Sequence, residues 1–217
     1  MKLNRLCTAL LTAGLVYSAP SLSAIVSLDF EGLANNTPVG NFYSGIGVVF
    51  SPATLALIDA DAGGSGNFAN EPSPNTIMFF LDANNAVLDY AAGFQTGFSF
   101  YYTSSTAATV NVYDAVGGAA GGGNVIASIN LAAQFTDNCV GDPTGAFCNF
   151  TPIGVAFGGT AYSIDFGGTA NQTGYDNITF GADIPCSGTS NCIPEPASLA
   201  LFGLGLAGLG FGRRKRT

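Results

Sequence analysis

The chain has 217 residues, six Lys and Arg, fourteen Asp and Glu and no His, for a formal net charge of −8. All the bases lie at the two ends: Lys2, Arg5, Arg213, Arg214, Lys215 and Arg216. Residues 25–196 therefore hold fourteen acids and no base, a charge of −14. That excludes nucleic-acid binding led by Lys and Arg contacts to phosphate, and it predicts a soluble surface that attracts divalent cations.

The first element is a processing segment. Lys2 and Arg5 precede an apolar run from Leu6 to Val16, followed by "YSAPSLSA" with its small residues. A charged start, a short apolar stretch and a small-residue cut site make a secretory signal peptide over 1–24. Cleavage is expected after Ala24, with Ser23 as second choice. Cys7 has too little apolar sequence before it to be a lipid attachment site, and it leaves with the signal.

From Ile25 to Asp183, short apolar or alternating runs are broken by Gly, Asn, Pro and Ser. Strands are predicted at "IVSLDFE", "GVVFS", "TLALIDA", "TIMFFLD", "GFSFYY", "TVNVYDA", "NVIASINLA", "IGVAFGG", "YSIDFGG" and "YDNITFG". Phe, Tyr, Val, Ile and Thr suit a pleated, half-buried surface. In the last two runs Ile164 pairs with Phe166, and Ile178 with Phe180, on one face. No helical period stands out between the termini. The expected fold is all-β, a jelly-roll-like β-sandwich over 25–183. "GGAAGGG" at 117–123 reads as a flexible hairpin tip, and 184–193 as a spacer.

Four cysteines remain after signal removal: Cys139, Cys148, Cys186 and Cys192. In an exported chain an even count reads as disulfides, and local pairing 139–148 and 186–192 is one of three connectivities. Zinc is the rival, but there is no His and no CxxC pair.

Catalytic chemistry finds few carriers. A nucleophilic triad needs a base, usually His, and a phosphate-binding loop needs Lys. "GGSGN" fails as a nucleophile elbow at its last position. A glycosidase needs only two carboxylates, and Asp29/Glu31 or Asp59/Asp61 could supply a pair, since residues two apart on a strand share a face. Outward-facing acids on a half-exposed strand are the plainer explanation. Tyr101 or Tyr102 could stack on a sugar, but on a strand one of the two must face the core.

Calcium suits the available oxygen donors better. The main candidate site joins Asp29 and Glu31 of the first strand to Asp176 of the last, by analogy with carbohydrate-binding sandwich domains. The second is "DADAGGSGN", where Asp59 and Asp61 stand near Ser65 and Asn67, with a spacing that falls short of an EF-hand. A solvated loop is the alternative for both.

The final element runs over 194–217. Ala197–Gly212 is sixteen residues, about 24 Å as a helix, which is short for a hydrocarbon core of about 30 Å. It is glycine-rich and ends in the bases Arg213, Arg214, Lys215 and Arg216, which would stay cytoplasmic and leave the domain outside. Before it, Pro194 and Pro196 hold Glu195 in an extended, exposed segment. Pro194-Glu195-Pro196, the apolar stretch and the basic cluster, in that order, resemble the PEP-CTERM sorting signal. The resemblance implies recognition at Pro-Glu-Pro by exosortase, a membrane protease of Gram-negative bacteria. It further implies a transmembrane helix only transiently in the inner membrane, then removal of the tail and passage of the domain to the cell surface or medium, much as a GPI signal is removed. It covers about the last 25 residues and gives a route, not an activity. The family's link to exopolysaccharide makes the leading expectation a non-catalytic surface or matrix protein of biofilm. A glycan-binding module and a carboxylate-dependent hydrolase are the alternatives.

Overall fold

The computed structural model describes residues 25–134, 139–140 and 145–187. The signal peptide, Cys192, the Pro-Glu-Pro motif and the apolar and basic tail lie outside the described residues. No helix among the described residues is long and apolar enough to cross a membrane.

The described chain is almost wholly β. Its strands are β1 Val26–Leu28, β2 Thr37–Pro38, β3 Val48–Phe50, β4 Leu55–Ile58, β5 Thr76–Phe79, β6 Asn85–Ser104, β7 Ala108–Tyr113, β8 Val125–Leu131, β9 Thr151–Gly167 and β10 Thr173–Phe180, with one 3-10 turn at Ser44–Ile46. All named strands pair antiparallel in one sheet, in the order β2-β4-β5-β10-β6-β9-β7-β8, with β1 added to β10 and β3 to β6.

Two long strands fold the sheet over. β6 and β9 pair at both ends, Asn85–Asp89 with Ser163–Gly167 and Thr96–Tyr102 with Thr151–Phe157, and their register shifts between Asp89 and Thr96. Left-handed residues cluster at that break: Gly93 and Thr96 on β6 and Gly159 on β9. Extra residues and positive φ bend a strand and re-aim its far half. The near half of β6 carries β3, and the far half carries β10. Across the fold, Phe166 meets Phe98 and Phe100 at ring-centroid distances of 5.8 and 5.9 Å and Tyr175 at 4.9 Å. Phenyl rings thus fill the space between the opposed halves, mostly edge-on or tilted, as their quadrupoles prefer. Each fully buried Phe contributes roughly 1.5–3 kcal/mol.

The predicted strands differ from this pattern in two physical respects. "IGVAFGG" and "YSIDFGG" are one bent strand, because Gly158–Gly159 let the ladder turn without ending it. The sequence "NAVLDYAA" belongs to β6, which starts at Asn85, twelve residues before the predicted strand. The glycine-rich loop at 117–123 does join β7 to β8, but its first residues are tied down. The Gly117 amide donates to Asp89 Oδ1 at 2.7 Å and the Gly118 amide to Ser163 Oγ at 2.9 Å. At the other end of the body, the chain stays packed past Asp183. Ser99 Oγ donates to the Ala182 carbonyl, and the Cys186 amide to Thr179 Oγ1.

Candidate functional site

Where β1 meets β10, the backbone is strained and polar groups converge. β1 ends at Leu28, and Phe30 takes φ +60° with its ring fully buried. A non-glycine residue rarely adopts this conformation, and an aromatic one less often still. Burial still alternates through the kink: Leu28 and Phe30 are buried, Asp29 is exposed and Glu31 is half-buried. The Phe30 amide is satisfied by Tyr43 Oη at 2.7 Å. On β10, Asn177 is also left-handed, at φ +47°, beside a register shift between Asp176 and Thr179.

Asp176 is fully buried, and so is every residue of β10 from Thr173 to Phe180. Its Oδ2 accepts from the Ser73 amide at 2.9 Å and the Ser73 hydroxyl at 2.8 Å, and its Oδ1 from the Asn177 amide at 2.7 Å. Burial pushes its carboxyl up from 3.8 to about 8; the bonds from Ser73 and Asn177 pull against this, and the Glu31 charge adds to it. The Tyr43 hydroxyl is also pushed up, chiefly by burial and further by the charges of Asp29, Asp176 and Glu31. Glu31 Oε1 accepts from the Asn75 and Thr76 amides, each at 2.8 Å, and Oε2 from the Thr76 hydroxyl at 3.3 Å.

Ser73 lies at the centre of this junction. Its hydroxyl stands 2.8 Å from Asp176 Oδ2, 3.1 Å from the Asp29 carbonyl and 3.2 Å from the Thr76 carbonyl. One hydroxyl proton faces three acceptors. Such an oxygen-rich, proton-poor spot is satisfied by a proton on Asp176 or by a hard cation, whose preferred ligands are carboxylate and carbonyl oxygens. The donors suit calcium in kind. In number they fall short, because no group of three His, Cys, Asp or Glu side chains among the described residues is placed to hold a metal. Asp29, Glu31 and Asp176 are expected from the sequence; Ser73 is not, although its setting in "EPSPNT", between two prolines, marks a rigid segment.

The second candidate site does not form a pair. β4 ends at Ile58, so Asp59 and Asp61 are not strand neighbours. Asp59 is buried and Asp61 exposed. The "DADAGGSG" turn closes on itself: the Ala62 and Gly64 amides donate to the Asp59 carbonyl, and those of Ser65 and Gly66 to the Ile58 carbonyl. The Ser65 hydroxyl accepts from Asn35 and Asn36. Tyr102 is in the core and Tyr101 is half-buried.

Cys139 and Cys148 are joined by a disulfide. Cys186 is disulfide-bonded as well; Cys192, its expected partner, lies outside the described residues.

No curated protein matches the chain in sequence. Among solved structures, it is similar to the K2 cleaved adhesin domain of Lys-gingipain, with a TM-score of 0.48 and 13% identity over 72% of this chain and 97% of that one. It is also similar to the CBM22-1-GH10 modules of the Clostridium thermocellum xylanase 10B complexed with xylohexaose, with a TM-score of 0.38 and 13% identity over 71% of this chain and 27% of that one. Likeness at this level carries no argument about activity. The C-terminus is more specific: residues 193–216 match the PEP-CTERM protein-sorting motif, so the chain carries the signal of an exported protein sorted by exosortase to the cell surface or extracellular space.

Proposed function

We propose that the protein is a non-catalytic surface or matrix component, delivered by exosortase and associated with exopolysaccharide in biofilm. The observation that carries this is the sorting motif at 193–216, attached to an exported domain with no His, Lys or Arg. In this reading exosortase grips Pro194-Glu195-Pro196 and cuts the tail, Arg213–Arg216 hold the stop on the cytoplasmic side of the inner membrane, and the domain is a jelly-roll-like sandwich. Glu31 caps the turn at Asn75 and Thr76, and Asp59 is buried while Asp61 is not. Replacing Glu195 by Ala in a strain with exosortase tests the route: precursor should accumulate in the inner membrane, and normal release of the variant would refute it.

A structural calcium at the β1–β10 junction belongs to the same proposal. Asp176, Asp29 and Glu31 would hold it, with the carbonyl oxygens around Ser73 and with Asp59 and Asp61 as the weaker second choice. The ion would neutralise the buried carboxylate and pin the first strand to the last.

A further inference from the structure

The chain carries four Asn-x-Thr triplets: Asn35-Asn36-Thr37, Asn149-Phe150-Thr151, Asn171-Gln172-Thr173 and Asn177-Ile178-Thr179. In an exported protein this triplet is an acceptor for an N-linked glycan, and the glycan must end on a surface that water reaches. The fold sorts the four.

Asn177 fails on burial. It is 5% exposed within β10, where a sugar would have to displace packed chain. Asn35 holds separate parts of the body together: its Nδ2 donates to Ser65 Oγ at 2.9 Å, and its Oδ1 accepts from the Ile58 amide at 2.9 Å. Asn149 Nδ2 donates to the Gln134 carbonyl at 3.0 Å, and Gln134 Nε2 returns a bond to the Asn149 carbonyl at 3.3 Å. A sugar on either nitrogen would crowd the partner that it now holds.

Asn171 differs in each respect. It stands on the turn between β9 and β10 and is exposed. The turn around it is fastened. The Asn171 amide donates to the Phe80 carbonyl at 2.8 Å, the Gln172 amide to the Thr169 carbonyl at 3.0 Å, and the Ala170 amide to Asn84 Oδ1 at 3.2 Å. The Asn171 side chain, by contrast, makes no hydrogen bond to another described residue. Its φ is +56°, a left-handed conformation that Asn and Gly adopt readily. A rigid turn thus offers one unengaged amide nitrogen to water.

We infer that Asn171 is a glycosylation site, whose Nδ2 takes a glycan from a polyprenyl diphosphate carrier. The bond between the anomeric carbon and the diphosphate oxygen breaks, that carbon bonds to Nδ2, Nδ2 gives up one proton, and the lipid diphosphate leaves. No oxidant or reductant is needed. Thr173 sets the timing. Its hydroxyl belongs to the triplet that the transferase reads, yet in the folded chain it is 3% exposed, 2.9 Å from Ser104 Oγ and bonded by the Thr169 amide at 3.3 Å. Transfer therefore precedes the closure of β10 onto β6, and only Asn171 then leaves its sugar in water once the fold is complete. The inference rests on export, which the sorting motif implies.

The test uses the protein purified from the strain that makes it, read by intact mass and by fragmentation of its glycopeptides. Wild type should show a mass excess of whole sugar residues that maps to Asn171. Asn171→Gly suits the left-handed backbone, so it should fold and be exported as wild type is, yet lack the excess. Thr173→Val leaves Asn171 in place and removes the hydroxyl of the triplet, so it should lose the excess as well. A sugar retained in either variant would overturn the site. So would an exported wild type with no excess, or with its sugar on Asn35, Asn149, Asn177 or a hydroxyl; each of these leaves the sorting route standing. A wild type that keeps residues 1–24 overturns export, and the site with it.

Discussion

Asp176 sets the energetics of the β1–β10 junction. Its carboxyl is raised by burial to about 8, so between about pH 4 and pH 8 the folded state holds a proton that the unfolded state has released. Stability without a cation therefore falls as pH rises through that window, with a slope of up to about 1.4 kcal/mol per pH unit. Asp176→Asn removes the titration. Asn cannot accept from both Ser73 and the Asn177 amide, so the variant should be about 1–3 kcal/mol less stable than wild type at pH 5. The gap should narrow or reverse by pH 8. Urea unfolding of both proteins in EGTA at pH 5, 6.5 and 8 checks this, and parallel pH curves would contradict it.

At the scale of the element, the long strands β6 and β9 position everything else. The segment after β10 runs across them where glycine leaves room. A Cβ at Gly154 would lie 2.1 Å from the Asp183 carbonyl oxygen and 2.6 Å from Ser99 Cβ. At Gly158, on the same strand, nothing lies within 4 Å. Gly154→Ala should therefore destabilise by about 1–3 kcal/mol, as overpacking does, while Gly158→Ala should be close to neutral. Thermal melts of the two variants separate the cases. Much of the β pattern was legible. Val, Ile, Phe and Thr runs mark strands wherever one face is buried, as at Ile164 and Phe166. The first half of β6 was not, since its "NAVLDYAA" mixes small and polar residues and owes its pairing to β3 and β9 on either side. Asp29, Glu31 and Asp176 were legible as acids without bases. That Phe30 turns the chain between the first two, and that Ser73 joins Asp29 to Asp176, follows from long-range packing that no local spacing encodes.

Across the molecule, the fourteen acids of residues 25–196 have no base among them and repel one another, and a divalent ion bound only by the folded state stabilises it by mass action. At calcium about a hundred times its dissociation constant the gain is ~2.7 kcal/mol, several degrees of melting temperature. The effect should saturate and should exceed that of sodium at equal ionic strength, which only screens. Coincident calcium and sodium melting curves would mean that the acids are a solvated surface. The proposed route depends on residues 193–216, which match a sorting motif, being removed after export. Intact-mass analysis of the mature protein from a strain with exosortase tests it most directly. The expected species begins after the signal peptide and lacks Arg213–Arg216; a mature protein that still carries those four residues would overturn the route.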